Sequence, residues 1–204
     1  MARIPVDVRR KALVEAALRV VAARGLREAT TRAIVTEAGM SLASFHYAFE
    51  SRDELIDRLI IDVVANEEKA LTPTELGGKT LAALLAEGLK GYLDHLRAEP
   101  AREQAMLELT QYALRTRVEL AQRQYAQYMR IGLVSLELVA EHTGCRWTVP
   151  VSTIARILIA LTDGLTLNWL VTRDDRGVEA AIEAAAQAVA QLAEPVPELD
   201  REGQ

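Results

Sequence analysis

The chain has 204 residues, half of them hydrophobic, with a formal charge of −5 and one cysteine, Cys145. That length suffices for one good core or for a small domain joined to a larger one, and a lone thiol excludes an intrachain disulfide and a multi-cysteine metal site. The charge is divided unevenly: residues 1–52 hold nine Lys or Arg against five Asp or Glu, and residues 53–204 hold fifteen against twenty-four, as expected of a chain that meets phosphate at one end only.

Residues 1–30 include Arg3, Arg9, Arg10 and Lys11 but no apolar run ending in a small-residue cleavage site, so no export signal is read and a reducing cytoplasm is the expected location. A first helix is expected from about Asp7, with Leu13, Ala17, Val20 and Val21 on one face, until Gly25 ends it. Next comes ATTRAIVTEAGMSLASFHYAFESRDEL, starting at Ala29. It reads as two short helices meeting at a glycine, with Thr31 and Ser41 as N-caps and Gly39 supplying the positive φ of the turn. Helical spacing directs Leu42, Phe45 and Phe49 inward with Ile34, Val35 and Ala38, and leaves Ala43, Ser44, His46 and Tyr47 outward. A bare face of short, polar and aromatic side chains suits a helix laid in the major groove of DNA.

The order of residues from Thr30 to Leu55 resembles the TetR-type regulator family, whose pattern TTxxIAxxAGVSxGTLYYHFxSKEEL is followed nearly position by position. Val35, Ala43, His46 and Ala48 depart from it, standing where the pattern has alanine, glycine, tyrosine and histidine. The resemblance implies an all-α protein of about nine helices: a three-helix DNA-binding domain over residues 1–52, a larger ligand-binding and dimerisation bundle over 53–194, and a disordered polar tail over 195–204. It implies DNA contacts from Thr31, Arg32, Ser41, Ala43, Ser44, His46, Tyr47 and Arg52, the last on a phosphate.

Ser51 is expected to cap a fourth helix whose apolar stripe runs through Leu55, Ile56, Leu59, Ile60, Val63 and Val64. Leu71 to Gly78, with Pro73 and a glycine pair, reads as a loop. Leu81 to Leu96 then describes an amphipathic helix up to Glu99-Pro100, and Ala101–Arg117 and Val118–His142 two more; no strand pattern is visible. ELTQYALRTR and TDGLTLNWL resemble the sixth and eighth helices of the family. A ligand cavity is expected among Tyr92, Met106, Thr110, Tyr125, Tyr128, Met129, Asn168 and Trp169, where apolar surface carries a few polar groups.

Val151–Thr172 is apolar enough to raise the question of a membrane span, but Arg156, Asp163 and Asn168 interrupt it, and a buried helix of a soluble protein is expected. It and a last helix over Val178–Ala193 are expected to pair with a second copy through Ile154, Leu158, Leu161, Leu165, Ile182, Ala185 and Val189, an isologous four-helix interface.

The function expected is a ligand-responsive regulator, most simply a repressor. It would bind double-stranded operator DNA as a homodimer and be released by a small, mostly hydrophobic effector, with no cofactor, no metal and no membrane. A constitutive DNA-binding regulator without ligand is the alternative. An α-helical enzyme using His95, His142 or a glutamate has little support, because no nucleophile elbow, HExxH pair, P-loop or dinucleotide fingerprint is present.

Overall fold

In a computed structural model of the chain, residues 5–64 and 76–197 are described. Arg3, the side chains of Val63 and Val64, the part of the expected loop up to residue 75 and the tail beyond residue 197 lie outside them. The described residues form nine α-helices. These are α1 (Val6–Arg24), α2 (Thr31–Glu37), α3 (Leu42–Ala48), α4 (Arg52–Val64), α5 (Leu81–Ala98), α6 (Pro100–Thr116), α7 (Val118–Thr143), α8 (Val151–Thr172) and α9 (Asp175–Ala190).

Contacts divide the chain into two units, one of residues 1–66 and 99–125 and the other of 67–98 and 126–204. The first is built on α1, whose Leu13, Ala16, Ala17, Val20 and Val21 are buried. Ile34 and Val35 of α2, Phe45 and Phe49 at α3, and Leu55, Ile56, Leu59 and Ile60 of α4 complete one side of this core. The other side comes from α6, through Met106, Leu109 and Ala113. A carboxylate oxygen of Glu108 accepts from the amide of Leu26 at 3.0 Å, satisfying a donor just past the end of α1. The grouping is therefore not contiguous in sequence: α6, expected in the larger bundle, shares a core with the three N-terminal helices.

Helix boundaries follow capping. Thr30, not Thr31, caps α2, accepting from the amide of Ala33 at 3.2 Å. Ser41 caps α3 through the amide of Ser44, and Ser51 caps α4 through that of Glu54. Gly39 turns the chain between α2 and α3 at φ 63°, a conformation that costs other L-residues a clash between Cβ and carbonyl oxygen. The last helix starts three residues earlier than its apolar pattern suggests, because the Asp174 carboxylate accepts from the amide of Gly177 at 3.0 Å and draws Asp175 to Gly177 into the first turn.

In the second unit α5 carries Leu84, Leu89, Leu93 and Leu96 against Ile182, Ala186 and Val189 of α9 and Ile154 and Trp169 of α8. A polar clasp runs alongside: the Arg97 guanidinium donates to Asp175 at 2.9 Å and to Glu179 at 2.7 Å, and Lys90 pairs with Glu183. Trp169 Nε1 also donates to Asp175, at 2.8 Å. Two short strands, Cys145–Trp147 and Ala193–Pro195, pair antiparallel with Arg146 opposite Glu194. Neither was expected, since three residues are too few to display a period of two. Pro195, assigned to the tail, belongs to this pair.

The sides of α8 differ from expectation. Only Ile154, Ala155, Thr166 and Trp169 are buried, so this helix, long and apolar enough by composition to cross a membrane, is not a buried core helix. Ala160, Gly164, Leu167 and Val171 recur at helical spacing along its exposed side.

Gly39→Ala is expected to cost roughly 1–2 kcal/mol, read as a lower thermal midpoint with unchanged helix content. Asp175 is held below the usual carboxylate range by the Trp169 indole N–H and then by the Arg97 guanidinium. Its contribution to stability is therefore complete above the ordinary carboxylate pKa and is lost as pH falls through the depressed value; Asp175→Asn should flatten that acid limb in a pH series of thermal melts.

Candidate nucleic-acid interface and ligand cavity

The exposed face of α3 is set by what its opposite face must do. Phe45 and Phe49, with ring centroids 5.9 Å apart, are both buried, and Ala48 lies in the core beside them. A seven-residue helix then has Ala43, His46 and Tyr47 left for solvent, with Tyr47 53% exposed. Ser44 is half-buried, its hydroxyl 3.1 Å from that of Ser41. Leu42, expected inside, is 43% exposed; as the first residue after the cap it lies one turn before Phe45, and only Phe45 and Phe49 reach the core. The guanidinium of Arg9 on α1 stands over the Tyr47 ring at 5.0 Å, so a cation and an aromatic share this surface. Arg32 on α2 is exposed, and Thr31 is half-buried.

Arg52, expected to face phosphate, and Arg10 both make bonds within the chain. Arg52 donates through Nε to the carbonyl of Ala29 at 2.6 Å and through a terminal nitrogen to that of Leu26 at 2.7 Å, and it is ion-paired to Asp53. Arg10 donates to the carbonyl of Ala48 at 2.7 Å and to Glu54 at 3.0 Å, and stacks on Phe49 at 5.1 Å. Both guanidinium groups fasten the start of α4 and the end of α3 to earlier turns of chain. Two of the five Arg52 donors therefore serve carbonyls near the ends of short helical turns.

A second feature lies wholly within the other unit. It is a cavity of about 120 Å³ lined by α5, α7 and α8. From α5 come Leu84, Leu85, Gly88, Leu89 and Tyr92; from α7 come Tyr128, Ile131, Gly132, Ser135 and Leu136 among others; from α8 come Ala155, Leu158, Ile159, Thr162 and Asp163. Gly132 lets α7 run close to α8, since a Cβ built there would lie 3.4 Å from that of Ala155. The Tyr92 hydroxyl is 2.8 Å from the hydroxyl of Thr166. Thr166 is also 2.8 Å from the carbonyl of Thr162, to which its hydroxyl can donate.

Of the residues expected to bind ligand, Tyr92 and Tyr128 are at the cavity and six are not. Met106 is in the core of the first unit, and Thr110 donates there to Gln124 at 3.1 Å. Tyr125, in that same unit, is partly exposed. Met129 packs on the second core, Asn168 is exposed, and Trp169 is buried with its N–H on Asp175. Aromatic and polar identity drew attention to these positions. The cavity instead takes its walls from leucines and glycines, whose signal in sequence is that of ordinary packing.

Of the residues expected to meet a second copy, three are taken up by the chain's own core and four are part-exposed. Ile154, Ile182 and Val189 are buried in the chain's own core; Leu158 is at the cavity, Leu161 and Leu165 pack on that core, and Ala185 is half-buried. A helix apolar on all sides does not disclose which side its own bundle takes. Among the described residues no group of His, Cys, Asp and Glu is arranged to hold a metal ion.

Asp57 is ion-paired with Arg117, yet its pKa is raised, first by burial, which the Arg117 guanidinium opposes, and to a lesser degree by the carboxylates of Asp53 and Glu119. Stability from this group is present at low pH and lost as pH rises through the raised value.

The comparisons with known proteins converge. The sequence profile of the bacterial regulatory proteins of the tetR family matches residues 13–59, the segment from α1 into α4. The nicotine-responsive transcriptional repressor HdnoR of Paenarthrobacter nicotinovorans is 26% identical over 175 residues, covering 85% of this chain and 89% of that protein. Among solved structures, a transcriptional regulator from Rhodococcus sp. Rha1 superposes with a TM-score of 0.71 at 22% identity, over 92% of this chain and 99% of the other. The multidrug binding protein EbrR complexed with ethidium superposes with a TM-score of 0.66 at 24% identity, over 92% and 99%.

Two measurements follow from the geometry. Arg52→Ala should lower the unfolding free energy by roughly 2 kcal/mol, since hydrogen bonds from a charged donor are lost at two carbonyls, as read by denaturant titration. Tyr92→Phe should cost about 1 kcal/mol through the lost bond to Thr166 and leave the first unit's contacts intact.

Proposed function

The chain belongs to the bacterial TetR family of regulatory proteins, and from that premise we propose that it is a cytoplasmic, ligand-responsive repressor that binds palindromic operator DNA as a homodimer. Members of this family are DNA-binding transcription regulators and not enzymes. The observation that carries the reading is the bare outer face of α3. Ala43, His46 and Tyr47 are exposed while Phe45 and Phe49 hold the helix in place.

In this proposal α3 lies in the major groove. Ala43 permits close approach, Ser44, His46 and Tyr47 meet base edges or phosphates, and Thr31, Arg32 and Ser41 contact the backbone. Two such helices, related by a two-fold axis, read half-sites about 34 Å apart. The dimer is formed by α8 and α9. The exposed row Ala160, Gly164, Leu167 and Val171 on α8, with Ala181, Ala184 and Ala188 exposed on α9, supports a close, small-residue contact between copies. That contact would cover the apolar side that α8 does not bury in its own chain.

The effector occupies the cavity lined by α5, α7 and α8. It is apolar in the main, as the leucine walls require. HdnoR is named for its response to nicotine and EbrR is a multidrug binding protein solved with ethidium, which supports an organic effector here. Tyr128 and Gly132 at the cavity are on the same continuous helix as Leu120, Ala121 and Gln124, which are buried in the first unit. An occupant that favours one position of α7 therefore biases the unit that carries α3. It acts only through a difference in affinity between the bound and released states of the protein.

Binding to duplexes selected from a random pool should yield a palindrome. Tyr47→Ala should weaken its binding at least tenfold, and Arg32→Ala should weaken it with a salt slope reduced by about one; a protein that binds every duplex equally, or none, would end the proposal. For the dimer, Leu167→Glu should move the population towards monomer in light scattering, and an unchanged dimer would take the interface away from α8.

A further inference from the structure

We infer that the Leu42 side chain reads the 5-methyl group of a thymine in each half-site of the operator; this rests on the reading of α3 as the helix that lies in the major groove. What α3 lacks is as informative as what it carries. Its seven residues, LASFHYA, include no Arg, Lys, Asn, Gln, Asp or Glu. Those are the side chains whose paired or charged groups pick out guanine, adenine and cytosine at their major-groove edges. The polar residues of the helix are Ser44, His46 and Tyr47, and a serine hydroxyl discriminates little between bases. A sharper choice has to come from the apolar side chains of this helix.

Leu42 is the one that the fold leaves over. The core of the first unit takes in Ala38, Met40, Phe45, Ala48 and Phe49 around it and leaves Leu42 out, 43% exposed. The first turn of α3 does not need it either, since the Ser41 hydroxyl accepts from the amide of Ser44 at 3.2 Å. Lone exposed leucines are common on proteins, and the setting is what gives this one meaning. It stands in the first turn of α3, the part of a recognition helix that comes nearest to base edges. Ala43 is beside it, and His46 follows one turn later along the same side.

In the major groove thymine alone among the four bases presents a methyl group. The branched end of a leucine placed against that methyl takes apolar surface of both partners out of water. Against the amino and carbonyl groups of the other bases it displaces water and offers no hydrogen bond in return. Attraction to one base and rejection of the others thus come from a single side chain. Ala43, with one methyl group, lets the helix come close enough for the contact to form.

Uracil differs from thymine by that methyl alone, so replacing one by the other isolates the contact. The full chain is titrated, by fluorescence anisotropy, with the palindrome it selects from a random pool and with versions in which each symmetric pair of thymines is replaced in turn by uracil. One pair should show a loss of roughly fifteenfold, about fourfold for each of the two methyl contacts removed. Leu42→Ala should keep its thermal midpoint and bind the thymine and uracil duplexes of that pair equally. Leu42→Met, which keeps a long apolar side chain, should still prefer thymine. A pool selected with Leu42→Asn should no longer return thymine at that position, a readout that holds even where Leu42→Ala binds too weakly for comparison. A selected palindrome without thymine, no penalty for uracil at any position, or a penalty that Leu42→Ala leaves undiminished would overturn the assignment to Leu42 and leave α3 a DNA-binding helix. A chain that shows no preference among duplexes would overturn it together with the reading of α3.

Discussion

A helix of seven residues does not hold itself together in water, because nucleation costs more than so few hydrogen bonds return. Everything at the DNA end of this molecule depends on how α3 is held regardless. Phe45 and Phe49 are buried against α1 and its neighbours, the Ser41 hydroxyl satisfies an amide of the first turn, and Arg10 binds the carbonyl of Ala48 at the last. Arg52 secures the following helix to the turn before α2. With stability supplied from the inner face and the two ends, Ala43, His46 and Tyr47 are not needed for folding. A surface released from structural duty in this way can be given over to reading a duplex.

The second unit solves a different problem with one helix. α8 is apolar nearly all round, and its sides serve different ends. Ile154 and Trp169 join the core, Leu158 and Thr162 border the cavity, and Leu167 and Val171 remain outward. Its threonines would be a liability if their hydroxyls were left unpaired beside leucine. Each of Thr162, Thr166 and Thr172 donates back to a carbonyl one turn earlier, which satisfies the proton and keeps the helix intact.

Much of this was legible in sequence and some was not, along a clear physical line. The turn at Gly39, the cap at Ser41 and the inward direction of Phe45 and Phe49 are local facts, decided within a few residues, and the pattern around them matched a known family over most of a motif. Leu42 escaped because at a helix's first turn the periodicity still allows two directions. The bonds from Arg52 to the carbonyls of Leu26 and Ala29 escaped for another reason: a basic residue at a helix start has the same appearance in sequence whatever its donors meet within the chain. The cavity escaped most fully, since Gly88, Gly132 and Leu158 look like packing residues until three helices are brought together.

By itself the sequence determined the succession of helices, the caps at Ser41 and Ser51, and the face on which α3 carries its exposed residues, because those depend on interactions that span a turn or two. Only the tertiary structure decided that α6 shares a core with α1, that the Tyr92 hydroxyl meets that of a threonine 74 residues further along, and which side of α8 faces outward. Hydrophobic periodicity records which side chains leave water. It holds no record of what they leave it for, and that choice is made between segments distant in the chain.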